Sequence, residues 1–158
     1  MPELLTMATL RGWRTRHYCQ RVVATNGCFD LLHVGHLRYL EQAARFGDLL
    51  VVGVNSDESV RTLKGSTRPI IPEADRAELL VGLRCVAAVC VFPQERATQF
   101  LEALLPDVYC KGGDYSLETL HPAERAVLER RETPCEFVPL VEGVSTSLLV
   151  SSLRSQEP

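Results

Sequence analysis

The sequence has 158 residues, of which 46% are hydrophobic, and a formal net charge of -3 at pH 7. This length suits one domain with one site, and the hydrophobic fraction is sufficient for a core that needs no disulfide bridges or structural metal. A weakly acidic chain has no long-range positive field, so nucleic acids and anionic membranes are excluded as expected partners, and any anionic ligand has to be bound by local donors.

Short apolar runs alternate with amphipathic segments along the chain, which is typical of a parallel sheet with crossover helices. The predicted strands, in chain order, are residues 21–26, 49–55, 88–92, 107–111 and 136–140. The helices predicted between and after them are residues 37–46, 73–83, 95–105, 122–131 and 147–154. We therefore predict an α/β fold, a single doubly wound, five-stranded parallel sheet of the Rossmann-like type at residues 21–158, preceded by an N-terminal extension at residues 1–20.

The segment after the first predicted strand, residues 25–36, reads TNGCFDLLHVGH. His33 and His36 flank Gly35 at a helix start, where free backbone N–H groups and the helix dipole favour an anion. Gly35 lets an oxyanion approach the backbone, and each imidazole can donate an N–H to a phosphate oxygen. The segment therefore predicts a phosphate site. The alternative is that one histidine caps the helix and the other lies on the surface.

Other interpretations of this region are weaker. Cys28, His33 and His36 could supply three zinc ligands, but the second ligand pair of a typical zinc site is missing. Asp30 is expected to organise its loop by accepting backbone N–H bonds, with Mg²⁺ or substrate positioning as the second option.

Two polar residues follow the second predicted strand. Asn55 and Asp57 lie about 20 residues after Gly35, the spacing of a ribose-binding acid in dinucleotide folds. No GxGxxG motif accompanies them. A redox enzyme is therefore disfavoured.

Residues 56–72 form the longest stretch predicted to be irregular. Such segments in compact domains are usually functional or mobile, so we expect a lid here. Lys64 and Arg68 would close over a polyphosphate, and Arg76 in the next helix would reach over a phosphate. Ordinary exposure to solvent is the alternative for each of these three cations.

The start of the last predicted helix carries Ser145, Thr146 and Ser147. Their hydroxyl groups and the free N–H groups of the helix point the same way, which predicts a second anion site. A plain helix cap is the alternative.

The chain is expected to be cytoplasmic. No apolar run approaches the roughly 18 residues that a membrane span requires, and arginines interrupt the first 20 residues, unlike a signal peptide. The six cysteines form no CxxC pair, and we expect them to be reduced.

Several of these motifs together carry a family resemblance. The segment 25–36 resembles the HxGH signature of the cytidylyltransferase-like nucleotidyltransferases. Residues 54–69 (VNSDESVRTLKGSTRP), 111–115 (KGGDY) and 142–147 (EGVSTS) are similar, in order and spacing, to the heptose 1-phosphate adenylyltransferases of that superfamily. The resemblance covers about residues 20–153, nearly the whole chain.

The resemblance implies a transfer of AMP from ATP to D-glycero-β-D-manno-heptose 1-phosphate, with ADP-heptose, a lipopolysaccharide precursor, and pyrophosphate as products. It implies Mg²⁺ bound with ATP and no metal held by a motif of the protein. A separate sugar kinase would supply the acceptor, and a homodimer or higher homo-oligomer is expected.

The resemblance also implies roles for individual residues. The catalytic residues would be His33, His36 and Lys64. Nucleotide binding would involve Asn26, Gly27, Cys28, Phe29, Gly35, Lys111, Gly112, Gly143, Ser145, Thr146 and Ser147. Binding of the acceptor or of phosphate would involve Asp30, Asn55, Asp57, Arg68, Arg76 and Asp114.

Two other functions stay open. One is a cytidylyltransferase acting on glycerol 3-phosphate or another small phosphorylated alcohol. Enzymes of that type carry Arg where this chain has Leu140 and Thr where it has Cys28, which favours the adenylyl branch. The other is a non-catalytic nucleotide-binding regulatory subunit, because a fold alone does not establish an activity.

Overall fold

A computed structural model describes residues 1–113, 115–139 and 146–154 of the chain. This part of the chain forms one all-parallel sheet of six strands in the order β1-β4-β3-β2-β5-β6. The strands are β1 (Glu3–Leu5), β2 (Val22–Gly27), β3 (Leu49–Asn55), β4 (Ala88–Phe92), β5 (Val108–Gly112) and β6 (Cys135–Val138). The predicted α/β class and parallel sheet are confirmed, but the predicted number of five strands is wrong.

Seven helices connect and flank the strands in the described ranges. They are α1 (Met7–Arg16), α2 (Val34–Ala44), α3 (Asp57–Lys64), α4 (Glu73–Val81), α5 (Thr98–Leu104), α6 (Pro122–Arg130) and α7 (Thr146–Arg154). Helices α1 and α3 were not predicted. In the ranges that the structure describes, no helix is long and apolar enough to span a membrane.

The sixth strand comes from residues 1–20, which the sequence set apart as an extension. Strand β1 pairs with β4, with Glu3 opposite Ala88. Helix α1 follows after a capping box at Thr6 and buries Leu10 and Trp13, which are 0% and 1% exposed. A three-residue strand is too short to give a clear alternation of apolar and polar positions, so the sequence pattern missed it.

The segment predicted to be an irregular lid contains helix α3. The Ser56 side chain caps this helix by accepting the backbone N–H of Ser59, and acidic residues in the first turn face the positive end of the helix dipole. Gly65, with a φ of 99°, ends the helix in a conformation that favours glycine. Only residues 65–72 keep the irregular structure expected for the whole segment.

The sheet is covered on both faces. One face packs against α1, α5 and α6 around Trp13 and Phe100, and the other packs against α2 and α4 around Leu40 and Leu80. The chain runs from β2 outward to β3 and β4, then returns to place β5 on the other side of β2. This reversal puts a switch point between β2 and β5, and ligands of open α/β sheets bind at such a point, at the carboxyl ends of the strands.

Candidate active site

A cavity of about 790 Å³ lies at this switch point. Its wall includes the loop after β2, the ends of α3 and β5, and the starts of α6 and α7. The volume falls within the roughly 300–1,000 Å³ that is usual for small-molecule sites. Of the residues predicted from the sequence, it brings together Asn26, Gly27, Cys28, Phe29, Asp30, His36, Asn55, Lys64, Lys111, Gly112 and Thr146.

The backbone of α2 orients both histidines of the HxGH segment. His33 Nδ1 accepts the backbone N–H of Gly35 at 3.1 Å, and the backbone N–H of His33 is directed at His36 Nδ1 at 3.4 Å. The two rings stack with centroids 3.9 Å apart. Because each Nδ1 accepts a hydrogen bond, the proton of each neutral ring is on Nε2. Both Nε2 atoms are therefore hydrogen-bond donors.

Both imidazoles are neutral at pH 7. Burial lowers the pKa of His36 to about 4, and the electrostatic influence of the nearby His33 and Lys64 acts in the same direction. Burial also lowers the pKa of His33. His36 lines the cavity, whereas His33 caps α2 and lies beside it, outside the lining. His33 therefore caps the helix through Nδ1 and keeps its Nε2–H as a donor, so its catalytic role stays a prediction, while His36 faces the cavity.

Tyr39 fixes the position of α2 against the sheet. Its hydroxyl donates to the carbonyl of Cys110 at 3.0 Å and lies 2.6 Å from the hydroxyl of Thr25. Burial raises the pKa of Tyr39 far above its usual value, so the hydroxyl keeps its proton. A side chain at Gly112 would have its Cβ 3.0 Å from the Tyr39 ring, which explains the glycine. Helix α2 is therefore anchored to both strands at the switch point.

Asp30 organises the loops around the cavity, as its contacts show. The carboxylate is buried and accepts the backbone N–H groups of Ile70 and Ile71 and the guanidinium of Arg68, at 2.8 to 3.0 Å. The hydroxyl of Thr146 donates to the Asp30 carbonyl at 2.9 Å. Arg68 lies outside the cavity lining, so the phosphate contact predicted for it has no support in its position.

Arg76 joins several segments of the fold by hydrogen bonds and does not line the cavity. It is 0% exposed and donates to the carbonyls of Cys28, Asn55 and Ile71 and to the carboxylate of Asp57. These bonds occupy four of the five N–H donors of the guanidinium, and the side chain is buried by protein. Neither Arg76 nor Asp57 lines the cavity, so their positions give no support to the predicted contact with phosphate or acceptor, which stays a prediction.

The Asn55 side chain is also engaged in the fold. Its amide nitrogen donates to the Ser59 hydroxyl at 2.8 Å, and to the carbonyls of Gln94 and Glu95 at 3.3 and 3.4 Å. Asn55 thus ties the end of β3 to α3 and to the loop after β4, although part of it lines the cavity.

Lys111, at the end of β5, extends into the cavity. Its Nζ lies 5.2 Å from the centre of the Tyr115 ring and 5.7 Å from that of Tyr109. Burial lowers the pKa of Lys111, the charge of Glu124 raises it, and Arg96 lowers it further. All three residues line the cavity.

The zinc hypothesis for Cys28, His33 and His36 finds no support. In the ranges described, no three His, Cys, Asp or Glu side chains are grouped so that they could hold a metal ion. Burial raises the pKa of Cys28, which keeps its thiol protonated and a poor ligand.

The sequence match now decides the family. A family model described as cytidylyltransferase-like matches residues 24–152 of the chain. The chain belongs to the cytidylyltransferase-like family. The predicted enzyme class, a nucleotidyltransferase, is confirmed by this membership.

Two relatives of the chain have names that are consistent with the resemblance found in its sequence motifs. The bifunctional protein HldE of Geotalea uraniireducens (strain Rf4) is 49% identical over 94% of the chain and 29% of that relative. HldE of Helicobacter pylori (strain HPAG1) is 45% identical over 97% of the chain and 32% of that relative. The chain therefore spans less than a third of the length of these two relatives.

A solved structure is similar as well. The crystal structure of the lipopolysaccharide core biosynthesis protein from Thermoplasma volcanium GSS1 has a TM-score of 0.63 and 27% identity. The similarity covers 77% of this cytidylyltransferase-like chain and 97% of the other.

Five further predicted site residues either do not line the cavity or lie outside the described residues. Gly35 is buried in the first turn of α2, and Ser147 is exposed on α7, and neither is part of the lining. Asp114, Gly143 and Ser145 lie outside the described residues.

Among the cavity residues that the sequence missed are five that we call the α6 wall. They come from the loop after β4 and from the start of α6, and they are Glu95, Arg96, His121, Glu124 and Arg125. Single charged residues in such positions look like ordinary surface residues in a sequence. The available signal was topological, because both segments follow carboxyl ends of strands in the predicted sheet.

Proposed function

We propose that this nucleotidyltransferase transfers AMP from ATP to D-glycero-β-D-manno-heptose 1-phosphate, giving ADP-heptose and pyrophosphate. The observation that carries the proposal is the cavity at the switch point, lined by a neutral His36 and by Lys64. The resemblance of residues 54–69 and 111–115 to heptose 1-phosphate adenylyltransferases supports the choice of substrates. The names of the HldE relatives and of the Thermoplasma volcanium protein are consistent with it.

In this reaction a phosphate oxygen of the sugar 1-phosphate attacks the α-phosphorus of ATP. A new P–O bond forms while the bond from the α-phosphorus to the oxygen bridging it to the β-phosphorus breaks, and pyrophosphate leaves with the electron pair. An ionised phosphate needs no general base. The task of the protein is therefore to position the two substrates in line and to stabilise the negative charge.

The donors at the cavity suit this task. The Nε2–H of His36 would donate to an α-phosphate oxygen. This hydrogen bond strengthens as negative charge accumulates on that oxygen. His33 supports the orientation of His36 through the cap of α2. Lys64, at the exposed end of α3, would neutralise the departing pyrophosphate. Thr146 at the start of α7 adds a helix N-terminus on the same cavity wall.

Mg²⁺ is proposed to enter with ATP. The triphosphate oxygens would be its main ligands. Such an ion would neutralise charge on the phosphate oxygens.

A substrate matrix tests the proposal. The protein is incubated with ATP or CTP, each combined with heptose 1-phosphate or glycerol 3-phosphate, and pyrophosphate release is measured. We expect release with ATP and heptose 1-phosphate. Release only with CTP and glycerol 3-phosphate would establish the cytidylyltransferase alternative instead. Binding of ATP by calorimetry without release in any of the four mixtures would indicate the regulatory subunit.

A further inference from the structure

The α6 wall has no role in the chemistry described so far. The HxGH segment, Lys64 and the start of α7 account for the phosphates of the nucleotide. The α6 wall belongs to the same cavity but comes from different segments, the loop after β4 and the first turn of α6. A reaction with two substrates needs a second binding region beside the first.

Glu124 joins the two segments of the α6 wall. It is 6% exposed, and its Oε1 accepts the backbone N–H of Ala97 at 2.8 Å. This bond connects the first turn of α6 to the loop that carries Arg96. The hydrogen bonds described for Glu124 use only Oε1, and a carboxylate has about four acceptor positions. Oε2 is therefore available to accept a hydroxyl group of a ligand.

Positive charge accompanies this carboxylate. Arg96 and Lys111 both line the cavity, and no ion pair among the described residues involves either of them. Glu124 Oε1 accepts the backbone N–H of Ala97, the residue after Arg96, so this carboxylate and Arg96 belong to the same part of the cavity wall. The cavity thus carries two cations without an ion pair among the described residues, Arg96 in the α6 wall and Lys111 at the end of β5, together with the buried carboxylate of Glu124. This combination matches a ligand that has both an anionic group and hydroxyl groups.

We propose that the α6 wall binds the acceptor, a sugar 1-phosphate, with Arg96 on its phosphate and Glu124 Oε2 on a sugar hydroxyl. This assignment rests on the proposed function. A guanidinium engages two phosphate oxygens and leaves the third for attack on the α-phosphorus. The carboxylate accepts hydroxyl groups of a sugar, which a simple phosphate anion lacks. The wall thus selects polyhydroxylated phosphates over inorganic phosphate.

Two variants separate acceptor binding from nucleotide binding. Arg96 is exposed, so Arg96→Gln leaves the core unchanged. Glu124→Gln keeps an oxygen for the Ala97 N–H and removes the charge. We expect the KM for heptose 1-phosphate to rise about 10-fold or more in each variant, the scale of a lost charged hydrogen bond. The KM for ATP should stay within about 2-fold, since the nucleotide is bound elsewhere. Arg131→Gln, at the exposed end of α6, is the matched control and should leave both values unchanged.

Direct binding distinguishes a failure of this inference from a failure of the proposed function. Heptose 1-phosphate is titrated calorimetrically into the protein with α,β-methylene-ATP, which cannot release pyrophosphate. Binding to the wild type that is lost in Arg96→Gln supports the inference without any turnover. The inference is overturned if the wild type turns over heptose 1-phosphate but neither variant changes the KM for it. It is also overturned if the KM for heptose 1-phosphate and the KM for ATP rise equally in the variants. In both cases the proposed function still stands. A wild type that neither turns over nor binds heptose 1-phosphate overturns both.

Discussion

His36 is a neutral hydrogen-bond donor because burial removes the water that would stabilise its charged form. Its Nδ1 is occupied by the backbone, so its Nε2–H is the group that faces a ligand. In this neutral form the ring still donates its Nε2–H to a phosphate oxygen. The sequence predicted this residue and its partner group, because HxGH places two donors at a helix start. It did not predict that Arg76, 21 residues beyond Asn55, would donate its N–H groups to backbone carbonyls, since those contacts exist only in the folded chain.

The pKa of His36 predicts a pH dependence of stability. The folded value of about 4 lies below the usual value of 6.5, so the unfolded chain binds more protons between these limits. The stabilising contribution is complete above pH 6.5 and is lost as the pH falls towards 4. Between pH 7.5 and 5 we expect wild type to lose about 1 kcal/mol relative to His36→Asn, after a discount for partial exposure. Urea unfolding of both proteins at the two pH values measures this difference. A difference that does not change with pH would contradict the neutral, buried imidazole.

At the scale of elements, the sequence predicted those strands that are apolar on both faces. Strands β2 to β4 are long enough and sufficiently buried for this pattern to be clear. Helix α3 was missed because its only apolar residues are Val60 and Leu63, and capping and charge rather than periodicity define it. Close contacts between elements are also invisible in the sequence. At Gly47, a Cβ would lie 2.5 Å from the Arg21 carbonyl oxygen and 2.7 Å from Val23 Cγ2.

Two glycine substitutions test how elements pack. Gly47→Ala should lower the free energy of unfolding by about 2 kcal/mol, because the Arg21 carbonyl that it meets is fixed by the N–H of Asp48. Gly12→Ala, inside α1 with no atom within 4 Å of the new Cβ, should raise it by about 0.5–1 kcal/mol. Thermal and urea unfolding of the pair measures both effects. Equal effects of the same sign would mean that the close approach at Gly47 is absent.

In the whole molecule, residues 1–20 contribute side chains to a hydrophobic cluster on one face of the sheet. Leu10 and Trp13 pack in the same cluster as Phe100 and Leu104, and Trp13 Nε1 donates to Glu3 at 2.9 Å. The predicted boundary after residue 20 placed this segment outside the domain because the motifs begin later. The motifs mark chemistry, whereas packing decides which residues belong to the sheet.

The single tryptophan reports on this segment. We expect the urea midpoint measured by Trp13 fluorescence to coincide with the midpoint measured by far-ultraviolet circular dichroism, as for a two-state domain. Trp13 is 1% exposed and lies between β1 and the main sheet core, so its signal follows the core. A fluorescence transition at clearly lower urea would show that residues 1–20 unfold independently.

We propose that the cavity beside His36 catalyses the transfer of AMP from ATP to heptose 1-phosphate. The most direct measurement follows ATP, Mg²⁺ and heptose 1-phosphate by phosphorus NMR with wild type and with His36→Ala, both checked for folding by circular dichroism. We predict that wild type forms ADP-heptose and pyrophosphate in equal amounts, and that the variant has a kcat lower by about 10²-fold or more, the scale for a lost transition-state donor. Absence of ADP-heptose with the wild type would show that the protein does not catalyse this transfer. Formation of ADP-heptose by the folded variant at the wild-type rate would show that His36 does not stabilise the transition state.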